Sequence, residues 1–219
     1  MNKNQLLVVF TVGVVALIAV VFFLVNQSNE KEQTVDRGDH VSIAGQPTLG
    51  DPNAKVSIVE FGDYKCPSCK QWGEMIYPQL KEDYLDNEDV SFSYINVLFH
   101  GQESILASLA SESVYKQDPD SFWAFHKALY AAQPEVQHDE VWVTVEKLKE
   151  IASETTSVDL GQFEADLGEN STVLENVSID DGLVKESGVQ FTPSIMINGV
   201  MLEDPFDYDR IKQLIEQDL

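Results

Sequence analysis

Cys66 and Cys69 are the only cysteines of the 219-residue chain, and both lie in EFGDYKCPSCKQW, residues 60 to 72. The chemistry that suits two sulfhydryls at this spacing is thiol–disulfide exchange. A cysteine at the first turn of a helix faces backbone N–H groups without intrahelical partners and the positive end of the macrodipole. Both favour thiolate over thiol, and the ordinary pKa of about 8.5 falls to between about 3.5 and 7.5 in such settings. The anion exists only in the dithiol form, so stabilising it makes the disulfide a better oxidant. Cys69, one turn further on and deeper, is placed to close the ring. Cys66 is therefore expected to be the attacking sulfur and Cys69 the resolving one. Pro67 suits the first helical position, where a missing N–H costs nothing. Ser68 offers a hydroxyl to a thiolate but no positive charge.

Other uses of the pair fit less well. A zinc site would need further ligands, yet there is no third cysteine, and His40, His100, His126 and His138 show no paired ligand spacing. A structural disulfide closing so short a loop removes little chain entropy. Two reduced packing cysteines suit an exported domain poorly.

The elements that must hold these residues can be read on either side. KVSIVEF (55 to 61) is a compact β-branched run of the kind that becomes a buried strand, and the cysteines follow at once. From Pro67 to about Tyr84 the pattern is helical, with Trp72, Ile76 and Leu80 on one face and Pro78 as a kink. DVSFSYINVLF (89 to 99) is a second strand. Residues 102 to 187 contain several helical stretches and no convincing strand, the last of them stopping at Gly188. PSIMI, Asn198-Gly199 and VMLE then describe a hairpin with a two-residue turn, and Asp207 caps a final helix. A short strand is expected near residues 41 to 54. The order is that of an α/β domain, 44–219, with a helical insertion at about 102–187.

Fourteen Lys and Arg against 37 Asp and Glu give a formal net charge of -23, which repels phosphate backbones and disfavours a nucleic-acid partner. Residues 6–25, LLVVFTVGVVALIAVVFFLV, carry no charge. At about 1.5 Å per residue they span about 30 Å, a bilayer's hydrocarbon core. Lys3 before the run and Glu30 and Glu32 after it favour a cytoplasmic N-terminus (1–5) and an exported remainder. The segment reads as a retained signal anchor rather than a cleaved signal peptide, followed by a polar tether at 26–43. The acids Asp118, Asp120, Asp180 and Asp181 are candidates for a structural calcium site, although the redox chemistry itself requires no cofactor. Phe122, Trp123 and Phe125 read as core of the insertion, and His100 and His126 as packing histidines.

GQPTLGDPNAKVSIVEFGDYKCPSC, NVLFHG, DPDSFWAFH and VQFTPSIMINGV together resemble the DsbA-like thiol–disulfide oxidoreductases of the thioredoxin superfamily, in particular their membrane-anchored Gram-positive members. The resemblance covers about residues 44 to 219. It implies a thioredoxin fold with a helical insertion, and roles for single positions. Pro193 is the implied cis-proline facing the sulfurs, with the backbone of Thr192 as an edge for an extended substrate. Glu60 is the implied buried acid, its pKa raised by low dielectric, that exchanges a proton with Cys69. The implied activity is introduction of disulfides into reduced exported proteins, with reoxidation by a quinone-linked membrane partner of the DsbB type. Strong oxidants of this family commonly carry His where this chain has Ser68. An extracytoplasmic reductase or isomerase therefore stays open, as does a surface chaperone or metal-binding module.

Overall fold

The computed structural model describes residues 34–36, 40–136 and 140–219. The apolar stretch 6–25, the segment 1–5 and most of the tether lie outside the described residues. One three-residue strand, Thr34–Asp36, falls inside the stretch read as an aperiodic tether, on a β-branched Thr-Val pair. Among the described residues no helix is long and apolar enough to cross a membrane.

Five strands carry the domain: β1 (Thr48–Leu49), β2 (Val56–Gly62), β3 (Val90–Asn96), β4 (Ser194–Ile197) and β5 (Val200–Leu202), in the spatial order β5-β4-β2-β3-β1. Strand β2 lies between β3, parallel to it, and β4, antiparallel to it. Its apolar residues are buried because both faces of the sheet are covered. On one face Trp72, Ile76 and Leu80 pack with Ile58 of β2 and with Ile211, Leu214 and Ile215. On the other, Val59 and Phe61 meet Val184 and Val189.

The parallel β2–β3 pair needs a crossover, which α1 (Pro67–Met75) and α2 (Tyr77–Leu80) provide. The helix expected to be kinked is in fact divided. Ile76 N–H still donates to Trp72 O at 2.8 Å and Leu80 N–H to Ile76 O at 3.0 Å, but Pro78 between them has no N–H to give. A wide turn, Lys81–Leu85, ends the segment. The insertion comprises α3 (Gln102–Gln117), α4 (Phe122–Ala131), α5 (Val145–Thr155), α6 (Leu160–Asp166) and α7 (Leu174–Glu186). Phe122 and Phe125 are fully buried in its core, whereas Trp123 is only half-buried. Gly188, at φ 64°, takes the left-handed conformation that ends α7. The β4–β5 turn holds Asn198 at φ 46° and Gly199 at φ 82°, the paired positive values of a two-residue hairpin. Asp207 caps α8 (Tyr208–Glu216) by accepting the Arg210 N–H at 3.0 Å. Residues Asp36–Leu219 form one compact unit. Tyr64, Cys66 and Cys69 belong to the insertion's core cluster, so the cysteines sit where insertion and sheet meet.

Candidate active site

Strand β2 ends at Gly62, and four residues later Cys66 is the N-cap of α1, in an extended conformation with Pro67 at the first helical position. Cys66 is 6% exposed and Cys69 is fully buried. The Cys66 Sγ–H donates to the Thr192 carbonyl at 3.3 Å, and the Asp63 N–H points at Cys69 Sγ at 3.5 Å. The Thr192–Pro193 peptide is cis and lies in the loop that leads into β4. Cys66, Cys69, Thr192 and Pro193 are thus brought together from two distant parts of the chain.

The two sulfurs are driven apart electrostatically. Cys66 is lowered to about 6, chiefly because the Cys69 side chain hydrogen-bonds to it; the Thr192 side chain and the backbone N–H groups of Cys69 and Ser68 help, and partial burial opposes. Ser68 therefore acts through its main chain rather than through the hydroxyl. Its side chain points to an exposed position. Burial pushes the Cys69 thiol well up, and the negative Cys66 beside it adds to that. Roughly nine in ten Cys66 sulfurs are then thiolate at pH 7 while Cys69 keeps its proton.

Glu60 stands in the middle of β2, opposite Tyr94 on one side and Ile195 on the other, and is 3% exposed. Burial first, and the charge on Cys66 second, raise its carboxyl to about 8. Glu60 and Cys69 line one cavity of about 630 Å³, walled by Trp72, Tyr77, Trp123 and Tyr130. A carboxyl raised to about 8 and a high-pKa thiol lining one cavity are groups whose chemistry permits proton exchange.

Sequence reasoning missed Asp63. Its carboxylate is buried at 1% exposure and accepts from Lys65 N at 2.9 Å, Ser104 Oγ at 2.9 Å, Phe99 N at 3.1 Å and His100 Nδ1 at 2.7 Å. It ties the loop before Cys66 to the first turn of α3. Lys65 extends the tie, donating to Glu103 Oε1 and to the Glu140 carbonyl, each at 2.6 Å. An acid directly after a strand end was the visible signal, but its partners Phe99, His100 and Ser104 lie 36 to 41 positions away. His100 is thus paired with Asp63 rather than merely packed. His126 is half-buried, hydrogen-bonded to Tyr64 Oη at 2.9 Å, and pushed down to about 3 by desolvation of its ring, which leaves it neutral.

The acids Asp118, Asp120, Asp180 and Asp181 are not brought together. Asp118 accepts the Ser157 N–H at 2.9 Å, and Asp181 pairs with Lys185 one helical turn on. Adjacent positions 180 and 181 of a helix project about 100° apart, so only Asp180 turns inward. Asp180 meets Gln46 and Asn96 instead, and Asn96 in turn reaches Glu112. Among the described residues no group of three or more His, Cys, Asp or Glu is arranged to hold a metal ion.

A family model described as thioredoxin matches residues 42–217. The chain is 43% identical over 193 residues to disulfide bond formation protein D of Bacillus subtilis, covering 88% of this chain and 86% of that one. It is 36% identical over 224 residues to the probable disulfide bond formation protein D of Bacillus cereus, covering 100% and 99%. The oxidised crystal structure of BdbD from Bacillus subtilis superposes with a TM-score of 0.79 at 42% identity, over 85% of this chain and 98% of that one. With Cys66 and Cys69 at a helix start and an insertion between the third and fourth strands, the chain belongs to the DsbA-like thiol–disulfide oxidoreductases of the thioredoxin superfamily.

Proposed function

We propose that this oxidoreductase works as a membrane-anchored dithiol oxidase on the extracytoplasmic side, introducing disulfides into reduced exported proteins. The observation that carries the direction is the split between the sulfurs: Cys66 is held near 6 and Cys69 far above its ordinary value. When the dithiol form is stabilised in this way, the oxidised form gives up its disulfide readily. In the forward step a substrate thiolate attacks Cys66 Sγ, the Cys66–Cys69 bond breaks, and its electron pair leaves on Cys69. Protonated Glu60, which lines the same cavity as Cys69, is an acid able to neutralise it. A second substrate thiolate then attacks the substrate sulfur of the mixed disulfide and releases Cys66 as thiolate. Two electrons have passed from substrate to enzyme, and a quinone-linked membrane protein of the DsbB type removes them. The uncharged run 6–25 supports the anchor, and the net charge of -23 argues against nucleic-acid partners.

Equilibration of the purified domain with glutathione buffers tests the direction. The oxidase reading expects a potential at least about 30 mV above thioredoxin's value of about -270 mV, a tenfold or greater difference in equilibrium constant. A potential at or below thioredoxin's would make the domain a reductase, the alternative left open by Ser68, which brings no positive charge to the thiolate.

A structural calcium ion also belongs to this proposal, at a site that keeps only Asp180 of the acid quartet. Glu112, Asp180 and Gln46 converge from α3, α7 and the loop before β1, and Gln46 Oε1 is buried without a hydrogen-bond partner among the described residues. Burial, and for Glu112 the neighbouring Asp180 charge, pushes both carboxyls upward, as expected of two acids lacking a shared cation. Oxygen donors of this kind suit a hard cation. Millimolar calcium is expected to raise the Tm of the domain and EDTA to lower it, with no calcium response in Glu112→Gln. An equal Tm with and without calcium would remove the ion from the proposal.

A further inference from the structure

Gln133 follows the last turn of α4 and is 3% exposed. Its side chain reaches out of the insertion to the active-site loop, where Nε2 donates to the Tyr64 carbonyl at 2.7 Å and to the Cys66 carbonyl at 3.2 Å. Both partners are carbonyls, so the orientation of the amide is fixed: the NH₂ must face them, and Oε1 must face away. Oε1 is buried there and has no partner among the described residues. Lys70, the residue after Cys69, adds a bond in the reverse direction, from Nζ to the Gln133 carbonyl at 3.0 Å. The main chain on either side of Lys65 is thus held from the insertion at the Tyr64 and Cys66 carbonyls.

We propose that Gln133 is a positioning residue of the redox site, holding the Tyr64 and Cys66 carbonyls so that the Cys66 sulfur stays over the open N–H groups of α1. The effect on the sulfur has a definite sign. A carbonyl oxygen near a thiolate repels it, and an N–H bonded to that oxygen offsets part of its negative charge. The Cys66 carbonyl is also only weakly engaged by its own helix, since Lys70 N–H lies 3.4 Å from it. Without the Gln133 amide, a buried acceptor loses its main donor and the peptide plane carrying Cys66 is free to turn. The thiolate should lose stability, and the disulfide should become the favoured form.

This inference rests on Cys66 being the attacking thiolate, and the experiment separates the two. The ultraviolet thiolate titration and the glutathione equilibrium are measured on wild type, Gln133→Met, Gln133→Asn and Ser113→Ala. Ser113 bonds Asp166 at 2.8 Å inside the insertion and serves as a structural control. Gln133→Met keeps the length of the side chain without its donor; Gln133→Asn, one methylene shorter, withdraws the donor more gently and carries the same expectation should the first variant not fold. Both are expected to raise the Cys66 midpoint by about one unit and to move the equilibrium about tenfold toward the disulfide. Ser113→Ala is expected to lower the Tm and leave both readings in place. If the Gln133 variants lose stability but keep the midpoint and the equilibrium within twofold of wild type, Gln133 is only a structural residue. A wild-type midpoint in the ordinary thiol range would instead sink the reading of Cys66 itself.

Discussion

Cys66→Ala is expected to abolish oxidation of a reduced test protein, with a loss of at least about 10³-fold, because no other sulfur can carry the mixed disulfide. Cys69 cannot substitute for it: it is fully buried, and its high pKa keeps it protonated. Cys69→Ala should behave differently. There Cys66 remains an available nucleophile, so a disulfide-bonded test peptide should be captured as a stable covalent adduct that non-reducing electrophoresis resolves. Oxidation at the wild-type rate in Cys66→Ala, or the absence of adducts in Cys69→Ala, would assign the chemistry elsewhere.

Glu60→Gln should produce the second large effect, on the proton rather than on the electrons. General acid–base help is worth about 10² to 10⁴ in rate, so the step in which Cys69 attacks or leaves should slow by about 10²-fold at pH 7. Any inflection of that step near pH 8 should disappear with the carboxyl. Stability gives an independent check on the disulfide form, in which neither cysteine titrates. A carboxyl whose folded pKa is raised stabilises the fold fully below its unfolded value of 4.5, and that contribution is lost as pH rises toward about 8. The slope is about 1.4 kcal/mol per unit at most. In the disulfide form the Cys66 charge is absent, so burial alone supplies the shift and the window closes somewhat lower. Chemical denaturation at several pH values should show wild type weakening across this window and Glu60→Gln flat. A wild-type profile as flat as that of the variant would mean that Glu60 is not buried as a neutral acid.

Much of this arrangement was legible in the residues, and the legible parts share a physical character. The β-branched run that forms β2, the Trp72–Ile76–Leu80 face, the Asn198-Gly199 turn and the Asp207 cap are all set by neighbours within a few positions. The kink at Pro78 was foreseen, but not that the missing N–H would divide the helix. The buried polar partners could not be read in this way. Asp63 is paired with Ser104, and Gln133 with Tyr64 and Cys66, across 41, 69 and 67 positions. Nothing in an isolated Asp or Gln indicates that its side chain will be buried. The acid quartet failed for a related reason, since closeness along a helix says little about which side chains converge. Asp180 turned inward to a group that includes Glu112, a residue of α3 to which the sequence assigns no role. Ser68 shows the same limit at the scale of one residue, because the group that serves the thiolate is its backbone N–H.

The central claim is that Cys66 rests as an anion at neutral pH while Cys69 does not. Titration of thiolate absorbance near 240 nm in the reduced domain, with Cys66→Ala as the reference that keeps only the Cys69 sulfur, tests it most directly. The account predicts one transition with a midpoint near 6 in the reduced wild type, assigned to Cys66, and no second transition below pH 9. A Cys66 midpoint at the ordinary thiol value of about 8.5 would contradict it.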